Sequence, residues 1–497
     1  MTTLHDPWRH ARWCVLPLMC VASLWVQASA IAAEPLASDR PNIIFILADD
    51  LGINDLACYG RTDHRTPHLD QLAAEGMRFT SAYCAQPICS ASRAAIMSGK
   101  HPARLHLTTF LPGRPDCPSQ RLLHPEICQQ LPLEEVTLAE HLHQAGYATA
   151  CIGKWHLGGA GFSPLEQGFD LYVPGKGVTT PSEKEGGKGE YELTRKAAEF
   201  ITAHRDRPFF LYLAHDTPHI PYSARAATVA ANQSAFEPVY AALIETMDDT
   251  VGRLLQRLNE LGLADNTIVV FTSDNGGLHV PELKHERITH NTPFRAGKGF
   301  LYEGGLRVPT IVRWPGHVPT GQVIDAPIVN TDWLPTLLAC VDLPAPADSD
   351  GVSLHGLLTG QSAAPQRPLV WHFPHYTNQG SRPAGAIRDG DWKLIEYYDD
   401  PQRIELYNLA EDLGEQHNVA DREPDRVQAM RSRLVTCCDA MQVQRNQPNS
   451  TCDEKAFEAL YETVDPSLFN PLTASEEQWA RIVAWRAQMD AVVPRNK

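Results

Sequence analysis

The sequence predicts an α/β fold in which a large mixed, mostly parallel sheet is flanked by helices and followed by a smaller C-terminal α+β domain. Residues 42–48 form a continuous apolar run, NIIFILA, which is typical of a strand buried on both faces. Strand-like and helix-like segments then alternate over most of the chain, as they do when helical crossovers join parallel strands. The C-terminal part instead carries strands joined by a tight turn, which favours antiparallel pairing.

Apolar periodicity and cap residues give the order of the elements. The first helix is predicted at residues 66–76, where Thr66 is a cap residue, Pro67 fits the first turn and Gly76 ends the helix. Further helices are predicted at residues 137–146, 191–204 and 240–261, and further strands at residues 147–152, 208–214 and 267–272. Residues 175–190 are polar and rich in Gly and Lys, which predicts a mobile loop.

The C-terminal part begins after a change in composition. Residues 344–365 are rich in Pro, Ala, Ser and Gly, so we predict one domain over residues 34–365 and a smaller one over residues 366–497. The smaller domain is predicted to contain a hairpin at residues 385–398 with its turn at 389–391, a strand at 405–409, a helix at 422–441 and a helical extension at 453–497.

Residues 1–33 have the pattern of an export signal. Arg9 and Arg12 precede an apolar run at residues 14–26, and small residues at 28–30 and 32–33 follow with an A-x-A-like cleavage pattern. The run is short for a membrane span of about 20 residues, which disfavours an uncleaved anchor. We therefore expect a mature protein that is exported to a periplasmic, extracellular or lumenal compartment.

Twelve cysteines occur, and two of them lie inside the predicted signal. In an exported protein the other ten can pair, and the nearest candidates are Cys117 with Cys128, and Cys437 or Cys438 with Cys452. Spacing alone does not decide the pairing.

Composition and charge exclude several classes of protein. Hydrophobic residues make up 43% and charged residues 21%, which excludes disorder, collagen and coiled coil as whole-chain structures. The formal net charge is −16, from 43 basic and 59 acidic side chains, so no nucleic-acid partner is expected. An anionic substrate is still compatible, because a local pocket can oppose the global sign.

Four polar clusters follow predicted strands. They are Asp49-Asp50, residues 153–156, residues 215–219 and Asp274-Asn275-Gly276. An acidic pair alone is most often a turn, but ligands of parallel sheets bind outside the carboxyl ends of the strands. The four clusters therefore predict one shared site, in which the Asp and Asn oxygens suit a hard cation.

One short motif gives the sharpest indication of function. Residues 89–93 read Cys-Ser-Ala-Ser-Arg, and Gly99 and Lys100 follow. This motif resembles the formylglycine signature of the type I sulfatases, within the alkaline-phosphatase-like superfamily. Further motifs extend the resemblance from residue 41 to about residue 418: ADD at 48–50, GKWHLG at 153–158, PHIP at 218–221, SDNGG at 273–277, GKGFLYEGGLRVP at 297–309, IRDGDWKL at 387–394 and ELYNL at 405–409.

The resemblance implies a sulfuric ester hydrolase whose nucleophile is made after translation. In that family a separate formylglycine-generating enzyme oxidises the motif cysteine, here Cys89, to an aldehyde that hydrates to a geminal diol. One hydroxyl attacks sulfur and expels the alcohol. Deprotonation of the second hydroxyl then releases sulfate and restores the aldehyde.

The resemblance also implies a metal ion and a set of catalytic groups. One calcium ion is bound by Asp49, Asp50, Asp274, Asn275 and the modified Cys89, although the sequence leaves magnesium open. The implied catalytic groups are Arg93 and Lys154, which orient the diol, His219 and Lys298, which hold the sulfate, and His156, the base for the second hydroxyl.

Substrate specificity is expected to come from residues outside these motifs. The candidates are His215, His290, Asn291 and Arg295, for which a structural residue or a solvated loop is the alternative. An exported sulfatase with polar pocket residues is expected to act on sulfated carbohydrate. The acidic net charge favours short chains or chain ends.

Two other functions stay open at the level of sequence. The same superfamily includes phosphomonoester and phosphonate hydrolases, and a pseudo-sulfatase could bind glycans without turnover. The Cys89 motif and the single-metal pattern favour sulfate, and every catalytic position matched by the resemblance is present.

Overall fold

The computed structural model describes residues 40–283 and 287–493, and the predicted export signal lies outside them. The strands in chain order are β1 (Asn42–Asp49), β2 (Met77–Phe79), β3 (Ala82–Tyr83), β4 (Leu122–Leu123), β5 (Ala148–Gly153), β6 (Leu171–Pro174), β7 (Phe209–Pro218), β8 (Thr267–Ser273), β9 (Thr310–Arg313), β10 (Gln322–Ile324), β11 (Ile328–Val329), β12 (Leu369–Phe373), β13 (Ala384–Asp389), β14 (Trp392–Tyr397), β15 (Ile404–Asn408) and β16 (Gln447–Pro448).

The α-helices are named in the same way. They are α1 (Pro67–Glu75), α2 (Cys89–Ser98), α3 (Leu138–Gln144), α4 (Glu190–Ala203), α5 (Ala226–Ala231), α6 (Pro238–Glu260), α7 (Glu303–Leu306), α8 (Trp333–Ala339), α9 (His355–Leu358), α10 (Pro424–Ala440), α11 (Glu454–Phe457) and α12 (Glu476–Ala491). A single π-helical segment is described, at Glu458–Glu462.

A mixed sheet of eight strands forms the centre, in the order β10-β2-β9-β8-β1-β7-β5-β6. Every neighbouring pair is parallel except the two pairs that involve β9. This confirms the predicted mixed, mostly parallel sheet. Alternate residues of β1 enter two apolar cores, Phe45 and Leu47 on one face and Ile44 and Ile46 on the other. Burial on both faces explains why this strand is a continuous apolar run.

Helices cover both faces of the main sheet. Apolar residues of α2, α3 and α8 belong to one core, and those of α1, α4 and α6 belong to the other. The Cys89 motif is therefore at the start of a helix that is packed against the sheet.

The carboxyl ends of the central strands meet at one edge. Ala48 of β1 pairs with Ser273 of β8, and Asp49 pairs with Pro218 of β7. Gly153 of β5 in turn pairs with Ala214 of β7. The polar clusters that follow these four strands consequently lie side by side, as the sequence predicts.

The C-terminal part contains the predicted antiparallel sheet, in the order β12-β13-β14-β15. One face of this sheet contributes Trp371 and Ile395 to a core of the main sheet. The other face packs Ile387 and Leu394 against Leu434 of α10. The smaller α+β unit is confirmed as part of the fold class, whereas its boundary at residue 365 stays a prediction.

Most predicted elements agree with the observed ones within two residues at each end. The predicted strand at 208–214 continues to Pro218, and the predicted helical extension is broken between Glu462 and Glu476. The segment predicted as a mobile loop ends in five buried residues, 186–190, and Glu190 already belongs to α4. Its mobility stays a prediction.

All ten cysteines among the described residues are free thiols, so none of the candidate disulfides is formed. The Cys117 thiol instead faces the carbonyl of Pro115, and the Cys452 thiol faces Glu454. Among the described residues, no helix has both the length and the apolar character that a membrane span needs.

Candidate active site

Cys89 is the first residue of α2 and lies at the centre of the site. It is buried, and its Sγ atom is 3.4 Å from Nδ1 of His156. Burial alone raises the pKa of the thiol, but the charges of Lys154 and His156 and the hydrogen bond to His156 lower that pKa to about 6. A helix N-terminus also favours an anion. The position therefore suits a reactive group that carries negative charge.

His156 presents a free ring nitrogen to Cys89. Its Nε2 atom is 3.1 Å from the carbonyl oxygen of Leu111, which can only accept a hydrogen bond. The proton of a neutral ring is therefore on Nε2, and Nδ1 has a lone pair directed at Cys89. His156 can accept a proton from a group at position 89.

Three carboxylates and an amide form the acidic part of the site. They are Asp49 at the end of β1, Asp50 directly after it, and Asp274 and Asn275 after β8, and all four are buried. The Asp50 backbone has a φ of 67°, so the chain turns sharply after the strand. The Asp50 N–H donates to Asp274 Oδ1 at 3.2 Å, and the Asn275 amide donates to Asp50 Oδ1 at 2.8 Å. These bonds join the two strand ends.

Two oxygens of this group have no hydrogen-bond partner among the described residues. They are Oδ1 of Asp49 and Oδ1 of Asn275, and both are buried. Single ligand atoms of Asp49, Asp50 and His219 also lie within 4.8 Å of one another. Burial, followed by repulsion from Asp49, raises the pKa of Asp274 well above its usual range. A divalent cation bound among these oxygens would keep all the carboxylates ionised, so the residues present fit a metal ion.

Three basic side chains balance the carboxylates. Lys154 Nζ lies 2.7 Å from Asp49, and Lys298 Nζ lies 2.7 Å from Asp50. Arg93 has no exposed side-chain surface and contacts Asp274 at 2.8 Å. The charges of these groups are fixed before any ligand binds, which is the arrangement that stabilises a developing negative charge.

Lys298 is positioned by a close approach of two loops. Its backbone N–H donates to the carbonyl of Gly277 at 3.1 Å. A Cβ atom at the preceding residue, Gly297, would lie 2.2 Å from that same carbonyl oxygen. Glycine at position 297 therefore lets the 297–299 loop lie against the loop after β8.

His219 follows β7 and faces the acidic group from another side. Its Nε2 atom is 3.6 Å from Asp50 Oδ2, and its Nδ1 atom is 2.5 Å from the carbonyl of Ile220. Burial, reinforced by the charge of Lys298, lowers the pKa of His219 to about 4. The ring is 29% exposed, so it lines the opening of the site.

The structure thus brings together every predicted catalytic and metal-binding side chain. They are Asp49, Asp50, Cys89, Arg93, Lys154, His156, His219, Asp274, Asn275 and Lys298. The geometry establishes their proximity.

The four predicted substrate residues are engaged elsewhere. His215 is fully buried and faces Thr250 of α6, with Nε2 3.5 Å from its hydroxyl. The His290 ring packs edge-on against Phe236, with the ring centroids 5.3 Å apart. These two rings have structural neighbours rather than contacts with the acidic group.

Asn291 and Arg295 connect loops. The Asn291 amide donates to the carbonyls of Gly277 and Ala296 at 2.8 and 2.9 Å. Arg295 donates to Tyr407 of the C-terminal sheet at 3.0 Å, and its guanidinium stacks 3.9 Å above the Tyr302 ring. These contacts join segments of the chain, while Asn291 Oδ1 and Arg295 Nε have no hydrogen-bond partner among the described residues. A role for either side chain in substrate binding stays a prediction.

Sequence reasoning missed two buried charged residues beside the site. Lys188 and Glu190 both lie in the segment predicted as a mobile loop, and they are 2% and 1% exposed. A Gly- and Lys-rich stretch is typical of a solvated surface, so no sequence pattern indicated their burial.

Known protein families match most of the chain. A family model described as Sulfatase matches residues 41–343, and one described as N-sulphoglucosamine sulphohydrolase, C-terminal, matches residues 296–442. Arylsulfatase A of Homo sapiens is 33% identical, covering 81% of this chain and 88% of that protein. An N-acetylgalactosamine-6-O-sulfatase of Bacteroides thetaiotaomicron is 30% identical, covering 80% of this chain and 93% of that protein.

Solved structures are similar over most of the chain. Ps i-CgsB in complex with k-i-k-neocarrahexaose has a TM-score of 0.69 and 26% identity, covering 91% of this chain and 99% of that one. A phosphonate monoester hydrolase of Agrobacterium radiobacter, at 19% identity and a TM-score of 0.61, shares the fold alone. Fold, site and sequence define a hydrolase of sulfate esters. The chain belongs to the sulfatase family.

Proposed function

We propose that this sulfatase removes sulfate from sulfated carbohydrates, with a formylglycine made from Cys89 and one bound calcium ion. One observation carries the proposal. Cys89 contacts Nδ1 of His156. Lys154 and Lys298, whose charges lower the pKa of the Cys89 thiol, pair with the buried carboxylates of Asp49 and Asp50. A diol at this position would lie beside a base and close to the proposed cation site.

The metal is assigned from its donors. Asp49, Asp50, Asp274 and Asn275 offer only oxygen, and hard cations such as calcium prefer oxygen ligands. Calcium tolerates the irregular geometry of carboxylate clusters better than magnesium, which demands a near-ideal octahedron. When bound, the ion would supply positive charge to the sulfate oxygens.

The residues of this chain then have distinct tasks. Arg93, held at Asp274, and Lys154, held at Asp49, keep position 89 in a positive field. Lys298 and His219 face Asp50 from the opening and bind the sulfate oxygens there. His156 takes the proton of the second hydroxyl through Nδ1, and Leu111 holds the ring in place. The diol itself supplies one hydroxyl for attack and another for release.

The substrate class is inferred from the relatives and from the charge of the site. Relatives are named for sulfated galactosamine, and a similar structure was solved with a neocarrahexaose bound. The local group of Arg93, Lys154 and Lys298 supports binding of an anionic sulfate although the chain as a whole has a net charge of −16.

We further propose that the chain is exported after cleavage near residue 33 and requires a formylglycine-generating enzyme as a partner. N-terminal sequencing of the mature protein is expected to begin near residue 34. Mass spectrometry of the peptide that contains Cys89 is expected to show an aldehyde only when the modifying enzyme is co-produced.

The deciding experiment measures inorganic sulfate. Enzyme co-produced with a formylglycine-generating enzyme is incubated with calcium and sulfated galactosamine, sulfated oligosaccharides, an aryl sulfate and the matched aryl phosphate. Release of sulfate from a carbohydrate supports the proposal. Faster cleavage of the aryl phosphate than of the aryl sulfate would favour phosphoryl hydrolysis. Failure to release sulfate from any of the carbohydrates would contradict the substrate class.

A further inference from the structure

A buried lysine from a distant segment holds the strand end at residues 216–219, which consists of the last three residues of β7 and His219. The Lys188 ammonium donates to the carbonyl of Asp216 at 2.7 Å and makes a second, shorter hydrogen bond to the carbonyl of His219 itself. Lys188 is 2% exposed, so this charge has been removed from water. Two of the three ammonium hydrogens are therefore donated to one strand end of four residues.

A buried glutamate holds the same strand end through the side chain of Thr217. Glu190 Oε1 accepts the hydroxyl proton of Thr217 at 2.6 Å. Its other oxygen accepts the backbone N–H groups of Gly187 and Lys188 at 2.8 and 2.7 Å. Glu190 therefore fixes both the strand end and the backbone of Lys188, whose side chain is hydrogen-bonded to that strand end.

The segment also packs too closely for an ordinary surface loop. A Cβ atom at Gly187 would lie 2.0 Å from the carbonyl oxygen of Ser223, which follows the strand end in the chain. Glycine at this position lets the segment lie directly on the backbone that follows His219. Residues 186–190 thus pack directly against the strand end and the backbone that follows it.

We propose that Lys188 and Glu190 are positioning residues that form a clamp, which fixes the strand end at residues 216–219 so that His219 faces the acidic group. The proposal rests on the proposed function for the task of His219, although the clamp itself is a statement about the chain. Burial of two charges against one strand end is costly in free energy. Neutral contacts would be enough to hold a strand end that had no other task. Fixing the ring within a fraction of an ångström is what such a cost can provide, since a misplacement of about 1 Å can reduce turnover by about 100-fold.

The first test compares Lys188→Met with Lys176→Met. Lys176 lies in the same segment but pairs with Glu185 at the surface, where its side chain is 52% exposed. Lys188→Met is expected to lower kcat/KM for an aryl sulfate by about 10- to 100-fold, whereas Lys176→Met leaves it unchanged. Hydrogen–deuterium exchange of the peptide at 214–222 is expected to accelerate only in Lys188→Met.

A double-mutant cycle separates positioning from general stability. If Lys188 acts through His219, Lys188→Met causes little further loss of kcat/KM in a His219→Ala background. Equal losses in both backgrounds, or unchanged exchange of the 214–222 peptide, would overturn the proposal. If the wild-type enzyme releases no sulfate, the proposed function fails and the exchange data alone decide whether the clamp exists.

A second pair of variants keeps the clamp testable if Lys188→Met does not fold. Thr217→Val removes only the hydroxyl that Glu190 accepts, and Glu190→Gln leaves one oxygen for two sets of donors. Glu192→Gln is the matched control, because Glu192 pairs with Arg195 at the surface of the same helix. Faster exchange at 214–222 in Thr217→Val and Glu190→Gln, but not in Glu192→Gln, supports the clamp. The same exchange in all three variants contradicts it.

Discussion

The Nδ1 atom of His156 lies 3.4 Å from the sulfur of Cys89, while its Nε2 atom is held 3.1 Å from the carbonyl oxygen of Leu111. One hydrogen bond thus sets both the orientation and the tautomer of the ring. A single backbone carbonyl therefore decides which nitrogen of His156 faces the nucleophile position.

Replacement of His156 by Ala is expected to slow the release of sulfate more than the first attack. The base for the second hydroxyl is lost, and removal of such a group costs about 100- to 10,000-fold. Rapid mixing with an aryl sulfate should therefore show a burst of phenol followed by slow sulfate release. Loss of phenol and sulfate formation to the same extent, without a burst, would assign His156 to the first step instead.

Cys89→Ala is expected to abolish turnover, to below about one thousandth of wild type, because the nucleophile disappears. Both variants of the experiment use enzyme co-produced with a formylglycine-generating enzyme. Cys452→Ala, which changes a half-buried thiol outside the site, serves as the control and keeps full activity. Retained aryl sulfate turnover in Cys89→Ala would remove the proposed mechanism altogether.

Removal of calcium is expected to abolish activity and to lower stability. Without the ion, Asp49, Asp50 and Asp274 face one another in a buried site, and Oδ1 of Asp49 has no hydrogen-bond partner. Chelation followed by addition of Ca²⁺ or Mg²⁺ identifies the metal by recovery of turnover and by a rise in Tm. Asn275→Ala is expected to raise the calcium concentration needed for half recovery by about 10-fold or more. Full activity after verified metal removal contradicts the assignment.

The sequence predicts the catalytic group better than the pocket around it, for a physical reason. Asp49 and Asn275 follow apolar strands, and parallel strands bring their carboxyl ends to one edge, so their proximity follows from the order of elements. Burial of Lys188 depends on the carbonyls of Asp216 and His219, which lie two and five residues beyond the predicted end of the strand at residue 214. No local pattern encodes such a contact. Likewise, the sequence predicts Arg295 as a substrate-binding residue. No local pattern predicts its hydrogen bond to Tyr407 of the C-terminal sheet.

A buried ion triad that joins the C-terminal sheet to α7 makes a prediction for stability. Lys393 of β14 lies 2.8 Å from Glu303 and 2.8 Å from Glu415, and none of the three side chains is exposed. Lys393→Met leaves these carboxylates without their shared cation and is expected to lower the free energy of unfolding by about 3–5 kcal/mol. Lys196→Met, a lysine paired with Glu199 on the surface of α4, is the control.

The loss in Lys393→Met is expected to depend on pH. Burial opposes ionisation of Glu303, but the charges of Lys393 and Arg307 hold its pKa well below the usual range. A depressed pKa stabilises the fold above the pKa of the unfolded chain, and this contribution is lost as the pH falls. Burial raises the pKa of Glu415 to about 7, against the effect of Lys393. Without Lys393 both carboxyls take up protons more readily. Urea unfolding should therefore show a smaller loss at about pH 5 than at about pH 8. A loss that is independent of pH would mean that packing rather than charge dominates.

Arg295 separates a structural from a substrate-binding role. Its guanidinium donates to Tyr407 and Ser467 and stacks on Tyr302. Arg295→Met therefore removes contacts with the residue before α7, with β15 of the C-terminal sheet and with the segment after Asp465. We expect a loss of about 2–4 kcal/mol in the free energy of unfolding, because buried partners are left unpaired. The KM for a sulfated oligosaccharide should stay unchanged. Arg253→Met, which removes an exposed arginine stacked on Tyr191, controls for loss of positive charge. A rise in KM of about 10-fold with unchanged stability would instead place Arg295 in the carbohydrate site, because a direct ligand contact changes binding without changing the fold.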